Sequence, residues 1–276
     1  MHLNHQAFTR NSLKLSYQVI GKGSEPLIAF TGFGKNASEL AQKLEKTHFF
    51  ENFQIYCVDF FFHGASNYPK ERIERKQIDK KEFAELFEAF IDENNLSNPN
   101  LLGYSLGGKL ALVLLEQKPE IFGKAILLAP DGLHKVWWYR VLLNFPPFRW
   151  VYKYYIKHPK WYFWWIRAIQ KMGFLHKKAA DFAIVQMDTE EKRSRIYNTW
   201  MVMKKLEPSI SSLQEIENLK DRLLIYLGKY DRIIRPWKGR AFIKSLQLQE
   251  EKNLRVLDCG HDFLKVEILQ KIANEE

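Results

Sequence analysis

The stretch from Asn100 to Leu115 constrains the fold more than any other part of this 276-residue chain. An apolar run, Asn100-Leu101-Leu102, leads into Gly103-Tyr104-Ser105-Leu106-Gly107-Gly108, which opens onto Lys109-Leu110-Ala111-Leu112-Val113-Leu114-Leu115. The order is strand, sharp turn, helix. Side chains at positions 103 and 107 would collide within such a turn, so glycine is needed at both. A turn of this kind lifts the Ser105 hydroxyl clear of its neighbours.

The alternation continues on both sides. Phe8 to Ile20 reads as a hairpin with its turn near Asn11-Ser12. Pro26 to Thr31, Phe53 to Val58, Ala125 to Leu128, Leu223 to Leu227 and Leu254 to Leu257 are short apolar runs that read as strands. Helical periodicity predicts helices from Ala37 to Phe50, from Asp79 to Asn94, after Ser105, from Trp237 to Leu246 and from Phe263 onward. Strands alternating with helices imply an α/β fold: a mostly parallel central sheet with helices on both faces. Ligands of such sheets collect beyond the carboxyl ends of the strands.

Composition divides the chain in two. The net charge of +10 lies entirely in residues 131–205, which hold fifteen Lys/Arg against five Asp/Glu and seven of the eight tryptophans. A neutral body, residues 1–130 and 206–276, thus carries a helical, aromatic and basic insert. At 46% hydrophobic and 27% charged residues the chain is globular and not disordered. The N-terminus lacks the basic-then-apolar plan of a secretory signal, and no apolar run has the length of a membrane span. The two cysteines, Cys57 and Cys259, suit a reducing compartment and no disulfide framework, so a cytoplasmic location is expected.

Three polar residues fall at strand ends: Ser105, Asp231 in the loop Gly228-Lys229-Tyr230-Asp231, and His261 in Asp258-Cys259-Gly260-His261. Taken singly, each reads as a turn residue, a loop former or a helix cap. Taken together, their order resembles the α/β-hydrolase family, and the resemblance covers nearly the whole chain. It implies that Ser105 is a nucleophile, that His261 is its base and that Asp231 orients the imidazole. It also implies backbone N–H donors of Phe33 and Leu106 as an oxyanion hole, and a helical cap inserted after the sixth strand. Gly32, Tyr104, Trp137 and Trp138 are the expected substrate contacts. No cofactor and no metal are expected.

Two segments depart from the family pattern. Where the oxyanion loop usually reads His-Gly, this chain has Thr31-Gly32-Phe33-Gly34. In Asp59-Phe60-Phe61-Phe62-His63-Gly64-Ala65-Ser66, which resembles a D-x-x-G-x-G-x-S loop, Phe62 replaces the first glycine. His63 reads as a structural residue of that turn and not as a second base.

The leading function is a serine hydrolase acting on a carboxylic ester or thioester with an apolar acyl part. The elbow also resembles that of the pyruvate-eliminating synthase of the menaquinone pathway and of carbon–carbon bond hydrolases. For the synthase, Lys109 or Arg140 would hold substrate carboxylates. The third class is a non-catalytic binding protein on the same fold. The expected partner is a small acyl substrate, anionic or amphiphilic, with an anionic membrane as a further partner of the insert and no nucleic acid. Roughly half of the insert's rings are expected to pack as core between its helices and the sheet.

Overall fold

A computed structural model describes residues 5–134, 141, 143–173, 177, 181, 184–185 and 187–275. Eight strands form one sheet: β1 (Gln6–Arg10), β2 (Leu13–Ile20), β3 (Glu25–Phe30), β4 (Phe53–Val58), β5 (Asn100–Tyr104), β6 (Ala125–Leu128), β7 (Leu223–Gly228) and β8 (Leu254–Leu257). Their order is β1-β2-β4-β3-β5-β6-β7-β8. The β1–β2 and β2–β4 pairs are antiparallel, and all the others are parallel. The hairpin pairs Arg10 with Leu13 around Asn11 and Ser12, whose φ values of 49° and 67° give the doubly left-handed turn that matches strand twist. In β3, Leu27, Ile28, Ala29 and Phe30 are all buried, as expected of a parallel strand covered on both faces.

The helices of the body follow from local chemistry. Helix α1 (Ala37–Leu44) starts where the Asn36 side chain accepts the Glu39 N–H. It stops short of Phe50 because Thr47 donates both its N–H and its hydroxyl to the Leu44 carbonyl, closing the last turn. A separate turn of helix, α2 (Phe49–Asn52), follows. Helix α3 (Lys80–Glu93), capped by Asp79, buries Phe83, Leu86, Phe87, Phe90 and Ile91. Full burial of each such side chain stabilises the fold by roughly 1.5–3 kcal/mol. Helix α4 (Leu106–Gln117) is buried on nearly all sides. The C-terminal helix begins at Val266, later than the apolar pattern suggests, because Lys265 is extended and Phe263 folds back onto the His261 carbonyl.

The chain forms two compact units, one of residues 1–70, 78–135 and 205–276 and one of residues 71–77 and 136–204. The second unit contains the helices Pro146–Lys157, Lys160–Lys171 and Glu190–Met203. Buried Arg193 pins it internally by donating to the carbonyls of Ile156, Met187 and Asp188. Glu74 accepts from the Tyr197 hydroxyl at 2.7 Å and pairs with Lys153. Of the described aromatic residues between 141 and 203 only Tyr197 is buried, while Phe148, Tyr152, Tyr155, Tyr162 and Phe163 are half-buried. Among the described residues no helix is long and apolar enough to cross a membrane.

Candidate active site

Ser105 sits between β5 and α4 with φ 52° and ψ −115°. A non-glycine residue held there stores on the order of 1–3 kcal/mol of strain, which the surroundings must offset. They do so through the backbone: the Ser105 N–H donates to the Leu128 carbonyl at 2.9 Å, and the Ser105 carbonyl accepts from Gly108 and Asp131. A Cβ at Gly103 would lie 2.6 Å from the Gly107 carbonyl oxygen, and one at Gly107 would lie 2.5 Å from the Phe30 carbonyl oxygen. Glycine at both positions is therefore what lets β3, β5 and α4 close around the serine.

His261 arrives from the loop after β8 and Asp231 from the loop after β7. The imidazole Nδ1 is 2.7 Å from Asp231 Oδ2, and Nε2 is 3.2 Å from Ser105 Oγ. The other carboxylate oxygen, Oδ1, accepts the N–H groups of Ile233 at 2.7 Å and Ile234 at 2.9 Å. Burial alone would raise the Asp231 pKa, but His261 and these two amides hold it below the usual carboxylate value. The carboxylate is thus ionised, fully buried and aimed at the imidazole. The two loops meet at Gly228, where a Cβ would stand 2.3 Å from the Gly260 carbonyl oxygen. Nothing in the sequence around Gly228 announces this approach, although its place in the Gly-x-x-Asp loop marks the position.

Tyr104, expected at the substrate, is buried, and its hydroxyl donates to the His261 carbonyl at 3.1 Å. Burial, with Asp262 and Asp231 nearby, pushes its pKa up, so the phenol stays a donor. It supports the histidine loop from below. Cys259, two residues before His261, is half-buried, and burial together with Asp231 and Asp258 pushes its thiol up, away from reactive thiolate.

Gly32 lies against the serine: a Cβ there would come within 3.2 Å of Ser105 Cβ and 2.9 Å of the Tyr104 ring. A small cleft lined by Phe30, Thr31, Gly32, Val58, Phe60, His63 and Leu106 joins this loop to the start of α4. Leu106 is the first residue of that helix, so its N–H has no acceptor within the helix and lies at the positive end of the dipole. The loop is held by His63. Its Nε2 accepts the Gly34 N–H at 3.0 Å, while Nδ1, 3.1 Å from the Phe61 carbonyl, carries the proton. The bond from Gly34 requires a neutral imidazole, and the Phe33 ring stands edge-on to it at 5.3 Å. A histidine from the next loop thus braces the loop Thr31-Gly32-Phe33-Gly34, which has none of its own.

The turn carrying His63 is built on Asp59. Its carboxylate accepts from the Ala37 N–H and the Ser16 hydroxyl, both at 2.6 Å. Burial outweighs these bonds and raises the Asp59 pKa. Phe62 keeps a φ of 67°, the left-handed conformation that glycine adopts freely.

Lys109 is not available to a substrate carboxylate. It is buried, 3.0 Å from Glu207 Oε1 and 3.4 Å from Asp131 Oδ2. Burial opposes ionisation of Asp131, yet Lys109 and the Gly132 N–H bring its pKa below the usual value. Arg140, Trp137 and Trp138 lie outside the described residues. Among the described residues no cluster of three or more His, Cys, Asp or Glu side chains is arranged to hold a metal. A second cleft, of about 680 Å³, opens at the amino ends of β3 and β5, lined by Glu25, Asn98, Asn100 and Arg222. It lies at the end of the sheet away from Ser105, and its Arg222 is occupied by the carbonyls of Pro119, Phe122 and Gly123.

A sheet of this order, with a serine elbow after β5 and acid and histidine loops after β7 and β8, defines an α/β-hydrolase. The α/β hydrolase fold family model matches residues 25–267, and the chain belongs to that family. It is similar to an ethanol acetyltransferase of Hanseniaspora uvarum, 28% identical over 115 residues that make up 42% of this chain and 31% of that protein. A probable alcohol acetyltransferase of Cyberlindnera jadinii is 26% identical over 110 residues, 39% of this chain and 29% of that protein. The chain therefore matches under a third of the length of these relatives. A thermophilic esterase from Thermogutta terrifontis has a similar structure, with a TM-score of 0.69 at 16% identity, covering 99% of this chain and 97% of that one.

Proposed function

We propose that this enzyme cleaves a carboxylic ester or thioester with an apolar acyl part through a covalent Ser105 acyl-enzyme. The observation that carries the reading is the continuous chain from Ser105 Oγ through His261 to Asp231, at 3.2 and 2.7 Å. As Oγ attacks the acyl carbon, His261 Nε2 takes its proton, and Asp231 compensates the imidazolium at Nδ1. The developing oxyanion is stabilised by the N–H groups of Leu106 and Phe33, each worth about 3 kcal/mol of barrier. The imidazolium then protonates the departing alcohol or thiol. Water, deprotonated by the same histidine, attacks the acyl-enzyme, releases the acid and restores Ser105. Trp137 and Trp138 remain in this proposal as acyl-chain contacts on sequence grounds.

A second reading differs only in the last step. The likeness to two alcohol acetyltransferases favours an alcohol in place of water as acceptor, which yields a new ester from the same acyl-enzyme. Lys109 is paired with Asp131 and Glu207 and gives the synthase no carboxylate-binding group, and Arg140 lies outside the described residues. Incubating the protein with p-nitrophenyl esters and acyl-thioesters of graded chain length, with and without ethanol, tests both readings. Release of acid supports the hydrolase, and accumulation of ethyl ester supports the transferase. No turnover of any member of the series by folded protein contradicts both.

A further inference from the structure

We propose that the helices Pro146–Lys157 and Lys160–Lys171 form a docking face for the surface of an anionic lipid bilayer. The inference does not depend on the chemistry at Ser105. From Gly132 to Ala180 the chain has no Asp or Glu and ten Lys or Arg. Neither helix has a single buried residue. On the second helix Trp161, Trp164 and Trp165 are exposed by 59%, 58% and 49%, with Met172 just past its end at 58%. Those positions recur at three- and four-residue steps and so share one face. The first helix repeats the arrangement with exposed Trp150, Val151 and Tyr154.

These rings are not the surplus of a core. Tyr162, Phe163, Ile166 and Ile169 already supply the half-buried side of the second helix. Trp164 is edge-on to both Trp161 and Trp165, so the indoles form a patch. Lys157 and Lys160 flank it where the helices meet, and Lys171 lies at its far end, all exposed. Lys153 and Arg167, by contrast, are paired with Glu74 and Asp181.

An apolar patch rimmed by cations fits one surface best. Indole rings settle at the headgroup level of a bilayer, and lysine ammonium groups meet anionic headgroups. Each helix is about 18 Å long, too short to span the hydrocarbon and suited to lying in the interface. A second copy of this chain would bring like charges together, which disfavours self-association.

The test uses the full chain and two kinds of vesicle, pure phosphatidylcholine and phosphatidylcholine with about 30% phosphatidylglycerol. The expected result is co-sedimentation with the anionic vesicles at least about tenfold stronger than with the neutral ones, weakening as NaCl rises from about 0.1 to 0.5 M. The variant Trp161→Ser/Trp164→Ser/Trp165→Ser is expected to lose about tenfold or more of this binding, and Ser105→Ala to lose none. In the unaltered protein, lipids brominated near the headgroup are expected to quench tryptophan fluorescence, a readout that does not require the variant to fold. Equal binding by the triple variant, no quenching, or a dimer that the triple variant dissolves would each overturn the proposal.

Discussion

Three helices of twelve residues expose the difference between the two units. Helix α4 buries ten of its twelve residues, whereas Pro146–Lys157 and Lys160–Lys171 bury none. All three are rich in apolar side chains, so apolar content does not explain the contrast. Helix α4 has β3, β5 and β6 around it, and the glycines at its start let them approach within contact distance. That packing is what holds Ser105 in a strained conformation. In the second unit Arg193 holds the carbonyls of Ile156 and Met187 and Glu74 the side chains of Lys153 and Tyr197, while Trp150, Trp161, Trp164 and Trp165 stay exposed. One region converts apolar surface into precise placement of Ser105, and the other keeps it available.

The largest effect expected on the body side is from Ser105→Ala, which should lower ester turnover by about three to six orders of magnitude with an unchanged melting temperature. Next comes Asp231→Asn, with a loss of about four orders in kcat, since the amide presents the wrong partner to Nδ1–H. This variant also has a pH signature. The Asp231 pKa is lower in the folded chain than in the unfolded one, so its ionised form stabilises the fold above the ordinary carboxylate value of about 3.9. That contribution is lost as pH falls through the folded value. Denaturation midpoints of Asp231→Asn should therefore lie below those of the unaltered protein at pH 7 and converge with them in acid.

Gly228→Ala would put a methyl group against the Gly260 carbonyl and push the acid and histidine loops apart. A loss of about a hundredfold in kcat is expected, the scale of a misplacement near 1 Å. Two substitutions then set the units side by side. Leu112→Ala in α4 should cost about 2–5 kcal/mol in urea unfolding, because the side chain is fully buried. Trp164→Ala in the insert removes a larger side chain and should cost less than about 0.5 kcal/mol. Equal costs would erase the comparison.

Much of this was legible in the residues themselves. The six strands from β3 to β8 are short, mostly apolar runs and the β1–β2 hairpin an alternating one, and both signals are local. The hairpin turn was readable because Asn11 and Ser12 leave no room for a longer loop. The end of α1 was not, since the amphipathic pattern runs on past Leu44 and the stop depends on the Thr47 hydroxyl. His63 could be read as structural, but its partner Gly34 lies in another loop 29 positions away. The place of Tyr104 beneath His261, 157 positions distant, likewise exists only after folding. The exposure of Trp150, Trp161, Trp164 and Trp165 was beyond composition, because ring counts say nothing of which face a neighbour covers.

The central claim is that Ser105 is the nucleophile, and a fluorophosphonate probe tests it directly. Digestion and mass spectrometry should place the adduct on Ser105 in the unaltered protein, with none in Ser105→Ala and slow formation in Asp231→Asn. Labelling of Ser105→Ala at the rate of the unaltered protein, or no labelling of the folded unaltered protein, would contradict the account.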